Sequence, residues 1–359
     1  VITAAITSVV NRLLPNPESV KKVRYLLALI ALVLLSCQSG KKSSLDGAYA
    51  DSLAAILGES VAPFSSSLEN YPRKRAVQVE LRETRIGFFD MFNYDGCGLA
   101  DLLAQRNSIL GKVMPASERL LYEWRFFNEA GNCLAGIDSS NEPLAYQNLH
   151  EYKALKRDNL LPALWNATFA AEEFQRCFSL GDPGETTSAE IAALSFSLLK
   201  LSEISASLST ANPGPPQTMD KYLVVIRRGG VMGPLLADLE QTAHTLNALS
   251  DLLENALDSG VSPADLQRLS VLYEEFYTKE VDAHIELLSE KARRVLTPVN
   301  RMYAVMRETS PDSFRTYFNK NISLTNPDAL WHQLEIARLR HQQQWRKVMD
   351  AAGGEIIVI

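Results

Sequence analysis

Between Ser188 and Leu208 the apolar side chains Ile191, Leu194, Leu198, Leu201 and Leu208 recur three, four or seven residues apart. That spacing lines one face of an α-helix and would scatter over both faces of a strand. The same rhythm returns in Leu235, Leu239, Ala243, Leu246, Leu253 and Leu257, and again in Leu330, Leu334, Ala337, His341 and Trp345. Stripes of this kind bury themselves against one another, so the expected fold is an all-α, multi-helix bundle with at most minor strand content. Only Val77-Gln78-Val79-Glu80-Leu81 alternates with a period of two, as a short strand or as extended chain packed on helices. No fixed-period repeat occurs, which argues against a solenoid.

Punctuation divides the rest. Helical spacing is expected over 45–57, ended by Gly58, and over 99–110. Pro115-Ala116-Ser117 starts a helix whose apolar face is read as Leu120, Leu121, Trp124, Phe127 and Leu134. Two further helices, 144–155 and 164–178, are expected on either side of a break at Pro162. Ser262-Pro263 is a strong helix start, Thr297-Pro298 a kink or restart, and a last helix is expected over 326–349. The segment Asn212-Pro213-Gly214-Pro215-Pro216 is the strongest linker. The expected organisation is an N-terminal extension and leader over 1–36, a tether over 37–44, helical sub-bundles over 45–211 and 217–352, and a tail over 353–359 with the apolar end Ile356-Ile357-Val358-Ile359.

The address is written in 21–37. Lys21, Lys22 and Arg24 precede an uninterrupted apolar run over 26–35, which closes on Ser36-Cys37. A basic cluster, a short apolar run and a small residue before the cut make a secretory signal, too short for a membrane span. Leu34-Leu35-Ser36-Cys37 resembles a bacterial lipobox, with Cys37 the lipidated residue. Two or more acyl chains anchor stably, at about 0.8 kcal/mol per buried CH₂. Gln38 stands where Gram-negative lipoproteins kept at the inner membrane carry an Asp. The expected location is therefore the periplasmic face of the outer membrane. Pro15 and Pro17 interrupt the approach to the signal, and translation from Val20 or Val23 is the expectation.

Removing 1–36, with four basic residues and one acid, takes the net charge from −6 to about −9. Nucleic acid is thus not an expected partner, since phosphate neutralisation needs a basic face. Three cysteines remain beyond Cys37, and an oxidising compartment allows one pair. Cys97 opens one helical stretch and Cys133 closes another, so antiparallel packing favours Cys97–Cys133 with Cys177 buried and free.

No complete catalytic motif occurs. Ser197-Leu198-Leu199-Lys200 fits S-x-x-K, but it lies inside the leucine seam without its companion motifs. Glu280 and His284 share a helix face, yet no third ligand is evident, so no metal and no cofactor are expected. His341 falls on an apolar stripe and reads as a hydrogen-bonded core-edge histidine. The basic turn Arg73-Lys74-Arg75 is a solvated loop or a contact for anionic head groups. Two stretches place polar side chains among apolar ones at helix junctions, 106–115 and 161–168. They are buried, hydrogen-bonded corners or a binding cleft with Arg106, Asn107, Lys112, Trp165 and Asn166 as candidate residues.

Those stretches carry a resemblance. Cys97-Gly98-Leu99, Arg106-Asn107-Ser108, Gly111-Lys112-Val113-Met114-Pro115, Leu164-Trp165-Asn166-Ala167-Thr168, Glu275-Phe276-Tyr277 and His341 with Trp345 resemble, in order and wording, a family of gammaproteobacterial lipoproteins labelled only as a domain of unknown function. The resemblance implies a lipoprotein signal and a helical periplasmic body, and brings no activity or catalytic residue. The leading expectation is a non-catalytic envelope lipoprotein, anchored by its lipid, that binds an envelope protein. The alternatives are a small-ligand or lipid binder with a cavity between helices, and a cell-wall hydrolase using carboxylates such as Glu123 or Glu280.

Overall fold

The computed structural model describes residues 45–83, 97–180, 186–228 and 230–353. Cys37 and the expected leader over 1–36, Gly181-Asp182-Pro183-Gly184 and the apolar tail lie outside the described residues.

The chain is all-α, with no strand among the described residues. A π-helical turn, Leu45–Tyr49, leads into α1 (Ala50–Leu57), which Gly58 ends at φ +71°, a conformation open to glycine at little cost. One turn, α2 (Lys74–Val77), precedes an extended segment over 78–83. Then come α3 (Leu99–Asn107), α4 (Ile109–Lys112), α5 (Ala116–Gly136), α6 (Pro143–Ala167) and α7 (Glu172–Cys177). The second half holds α8 (Ser188–Leu208), α9 (Met219–Arg228), α10 (Met232–Ser259), α11 (Pro263–Leu272), a π-helical stretch Tyr273–Val281, α12 (Asp282–Met306), α13 (Asp312–Asn321) and α14 (Leu330–Ala351).

Three long pairings organise the bundle: α5 on α6, α10 on α14, and α8 on α12. The leucine seam is the α8 contribution, and Thr187 with Glu190 closes it as a capping box. One apolar core runs from Tyr49 to Val348 and draws on helices from both sides of the Pro213–Pro216 segment. On the far side of the α5–α6 hairpin a smaller cluster joins α3 through Leu99, Leu103, Tyr122 and Phe126. There Cys97 and Cys133 form the disulfide, while Cys177 is buried and free, its thiol pushed up to about 12 by burial. The α8 helix is long and apolar enough to cross a membrane, but its seam is packed against α12 and α9 as a core helix.

Four local expectations are corrected. The helix from Leu99 stops at Asn107, because Ser108 turns extended and caps α4 by accepting from Gly111 N–H. Pro162 does not break its helix: α6 runs through it to Ala167, since the burial of Leu160, Ala163, Leu164 and Trp165 outweighs one missing hydrogen bond. Pro298 is likewise interior to α12, so the helix does not restart there. The buried stripe of α5 is Leu120, Tyr122, Glu123, Phe126, Ala130 and Cys133, with Trp124 and Phe127 only half-buried, because α5 is sandwiched between α3 and α6.

Candidate binding cleft

The extended segment after α2 is strapped antiparallel along α6 by side chains of that helix. Trp165 Nε1 donates to the Val77 carbonyl at 2.6 Å. The Asn166 amide closes a two-way pair with Val79, accepting from its N–H at 3.0 Å and donating to its carbonyl at 2.8 Å. Asn159 repeats the arrangement with Arg82, at 3.1 and 2.8 Å. The register is geometric. Seven helical residues rise about 10.5 Å and return to nearly the same face, while three extended residues span about 10 Å. Side-chain amides thus stand in for a neighbouring strand and satisfy backbone groups that would otherwise be orphaned.

Beneath the strap lies a charged cluster. Glu123 is wholly buried, and its carboxylate accepts from Lys156 Nζ at 3.0 Å, Arg119 Nη2 at 2.7 Å and Asn159 Nδ2 at 3.1 Å. Lys156, itself 1% exposed, rests over the Tyr122 and Phe126 rings. Burial lowers the Lys156 pKa, and Glu123 opposes that shift. Arg119 reaches outward as well, to Glu83 at 3.2 Å, where Arg106 also arrives at 3.1 Å. Glu83 is held below the usual carboxylate range because Arg119 and then Arg106 outweigh its partial burial.

Strap, α2 and the start of α5 enclose a cleft of about 780 Å³. Lys74, Arg75 and Arg119 line it with Glu80, Glu83, Asn166 and an apolar floor that includes Met114 and Ala163. The corner where Arg106 sits is tight: a Cβ on Gly111 would lie 2.3 Å from the Gln105 carbonyl, and Arg106 Nη1 donates to the Gly111 carbonyl at 2.6 Å. Two other depressions have part of their charge already paired. One, of about 510 Å³, between α8, α12 and α14, has its Arg338 paired with Asp282 and Glu286 and its Arg294 with Glu290. The other, of about 430 Å³, has its Glu240 occupied by Ser66 and Ser67.

Of the candidate residues, Asn166 lines the cleft with its amide spent on the strap, and Arg106 reaches it only through its ion pair with Glu83. Trp165 is fully buried beneath it, and Asn107 is exposed on the last turn of α3. The side chain of Lys112 lies outside the described residues. Glu83, Arg119, Glu123, Lys156 and Lys74 are joined only by the tertiary structure. The one available signal was Arg119 and Glu123, four apart on one helix face and bracketing Leu120-Leu121-Tyr122.

The hydrolase candidates fare differently. Glu123 is sealed from solvent by three donors, and Glu280 is exposed on the π-helical stretch. Ser197 donates to the Ala193 carbonyl while Lys200 pairs with Glu203, so the S-x-x-K match is structural. Among the described residues no group of three or more His, Cys, Asp or Glu side chains is placed to hold a metal ion.

A second polar network fixes the start of the body. His341 is wholly buried between Tyr49 and Ser250. Trp345 Nε1 donates to the Tyr49 hydroxyl at 2.8 Å, which leaves that hydroxyl to donate to His341 Nε2 at 2.6 Å. The imidazole proton is therefore on Nδ1, facing Ser250 Oγ at 3.1 Å, and Ser250 donates to the Leu246 carbonyl at 2.6 Å. Burial drives the His341 pKa down to about 3. This is core architecture, in a pocket sealed by Tyr277 and Trp345.

Comparison with known proteins yields one family model, described as "protein of unknown function (DUF3080)", which matches residues 47–353. No curated protein and no solved structure matches the chain.

Proposed function

The chain belongs to that DUF3080 family, and on this footing we propose that it is a lipid-anchored binding protein of the bacterial envelope. Cys37 carries the lipid, the helical body sits at the periplasmic face of the outer membrane, and the cleft beneath the strap receives an envelope partner. Two features support the address: the basic-apolar-cysteine run over 21–37, and the Cys97–Cys133 disulfide, since structural disulfides persist in oxidising compartments. One observation carries the binding reading. The cleft is lined by the buried Arg119, whose Nε–H has no partner, whereas the buried Glu123, Lys156 and Glu240 all have theirs.

The test uses the full-length precursor expressed in a Gram-negative host. Cys37→Ser should move the protein from the membrane to the soluble periplasmic fraction, and the wild-type mature chain should begin at an acylated Cys37 by intact mass. A photo-crosslinking residue in place of Met114, inside the cleft, should give a discrete adduct in the native envelope. The same residue in place of Val271, exposed on α11, should give none. An unacylated wild type would remove the anchor, and equal labelling from both positions would remove the cleft.

A further inference from the structure

The cleft has more donors than its own acceptors can use. Arg119 in its wall, and Arg106 next to it across Glu83, each keep a buried Nε–H without a partner, while their Nη groups are engaged by Glu83, by Glu123 and by the Gly111 carbonyl. Arg119 is 8% exposed, so its Nε–H has no recourse to water. The cleft also takes in Met114, Pro115 and Ala116 at the N-terminus of the 21-residue α5, where no side chain caps the first-turn N–H groups. An uncapped helix N-terminus favours negative charge. On the rim Lys74 and Arg75 are exposed, with no acidic partner among the described residues. Against these cations stand Glu83, itself about half exposed, Glu80 and, beneath them, the buried Glu123. Beyond the polar edge, Val79, Leu81, Met114, Ala163 and Ala170 give the cleft an apolar floor.

We propose that the cleft binds an oxyanion, carboxylate or phosphate, carried on an apolar body, and that Glu83 is the internal occupant the ligand displaces from Arg106 and Arg119. The ligand anion meets the two guanidinium groups and the start of α5, Lys74 and Arg75 close over it, and its apolar part lies along Ala163 and Ala170. The cluster below keeps the site ready. Glu123, itself fixed by Lys156, holds the Arg119 guanidinium from below, so it need not be reordered when a ligand arrives. This inference rests on the binding reading above and names the chemistry of the same cleft.

The test is calorimetric titration of the full lipidated chain in detergent with inorganic phosphate, octyl phosphate, octanoate and, as neutral control, octanol. Octyl phosphate and octanoate should bind and octanol should not. Glu83→Gln removes the competitor and should tighten binding by about tenfold, whereas Lys74→Ala with Arg75→Ala should weaken it by about tenfold. All of these side chains are solvent-exposed, and unchanged circular dichroism and melting will show that the variants fold. If inorganic phosphate binds as tightly as octyl phosphate, the apolar body is refuted and the ligand is a free anion. If no anion binds to wild type or to Glu83→Gln, or if affinities ignore both substitutions, the oxyanion inference falls. A crosslink from the Met114 position that persists in that case leaves the envelope-binding reading standing without it.

Discussion

The buried imidazole of His341 gives this protein a specific dependence of stability on pH. In the native state its pKa is about 3 because burial excludes the charged form, whereas in the unfolded chain it returns to about 6.5. The unfolded state therefore binds the extra proton as pH falls, and stability declines below the unfolded pKa. The stabilisation is complete above about pH 7 and is lost progressively between about 6.5 and 3. At pH 5 the unfolded chain gains about 2 kcal/mol from this one proton, with RT at 0.59 kcal/mol. Urea unfolding at pH 8 and pH 5 measures the loss in wild type. The same pair of measurements on His341→Gln measures the part due to every other titrating group. The wild-type loss should exceed that of the variant by about 2 kcal/mol. Tyr49→Phe provides the second arm: it removes the donor to Nε2 and costs about 1–2 kcal/mol, but it leaves the imidazole buried, so the pH dependence should survive. Equal pH losses in wild type and His341→Gln would show that His341 is not held neutral by burial, and the reasoning would fail.

Three further outcomes follow from the same structure. Cys97→Ala with Cys133→Ala opens a loop with a sequence separation of 36 and should lower the unfolding free energy by about 3–4 kcal/mol, read by urea denaturation with and without reductant. Asn159→Leu and Asn166→Leu each remove a two-way pair to the strap and should cost about 2 kcal/mol, with faster hydrogen exchange at Arg82 and Val79 respectively and little change in α8. Glu123→Leu leaves Lys156 and Arg119 buried without their carboxylate and should destabilise by about 3–5 kcal/mol. Adding Lys156→Met to it should recover a large part of that loss, and additive effects in the double variant would show that the pair is not coupled.

What the sequence by itself determined is everything carried by neighbours along the chain. The three-four spacing of Leu194, Leu198 and Leu201 required helix, Ser262 before Pro263 started one, and Gly58 ended another, because period, cap and turn are each set within a few residues. The Cys97–Cys133 pair was legible for a related reason: two helix ends joined through one antiparallel hairpin leave few partners. Local signals failed where long-range burial outweighed them. Pro162 and Pro298 stand inside helices because the apolar faces around them are packed on both sides. The cleft belongs wholly to the tertiary structure. Asn159 and Asn166 act on residues 77 and 87 positions away, Glu123 meets Lys156 from a neighbouring helix, and Glu83 reaches Arg106 and Arg119 across the strap. A polar side chain in the sequence does not say whether water or another side chain will satisfy it. That is decided only when packing removes the water, and here it leaves two arginines with donors still to spare.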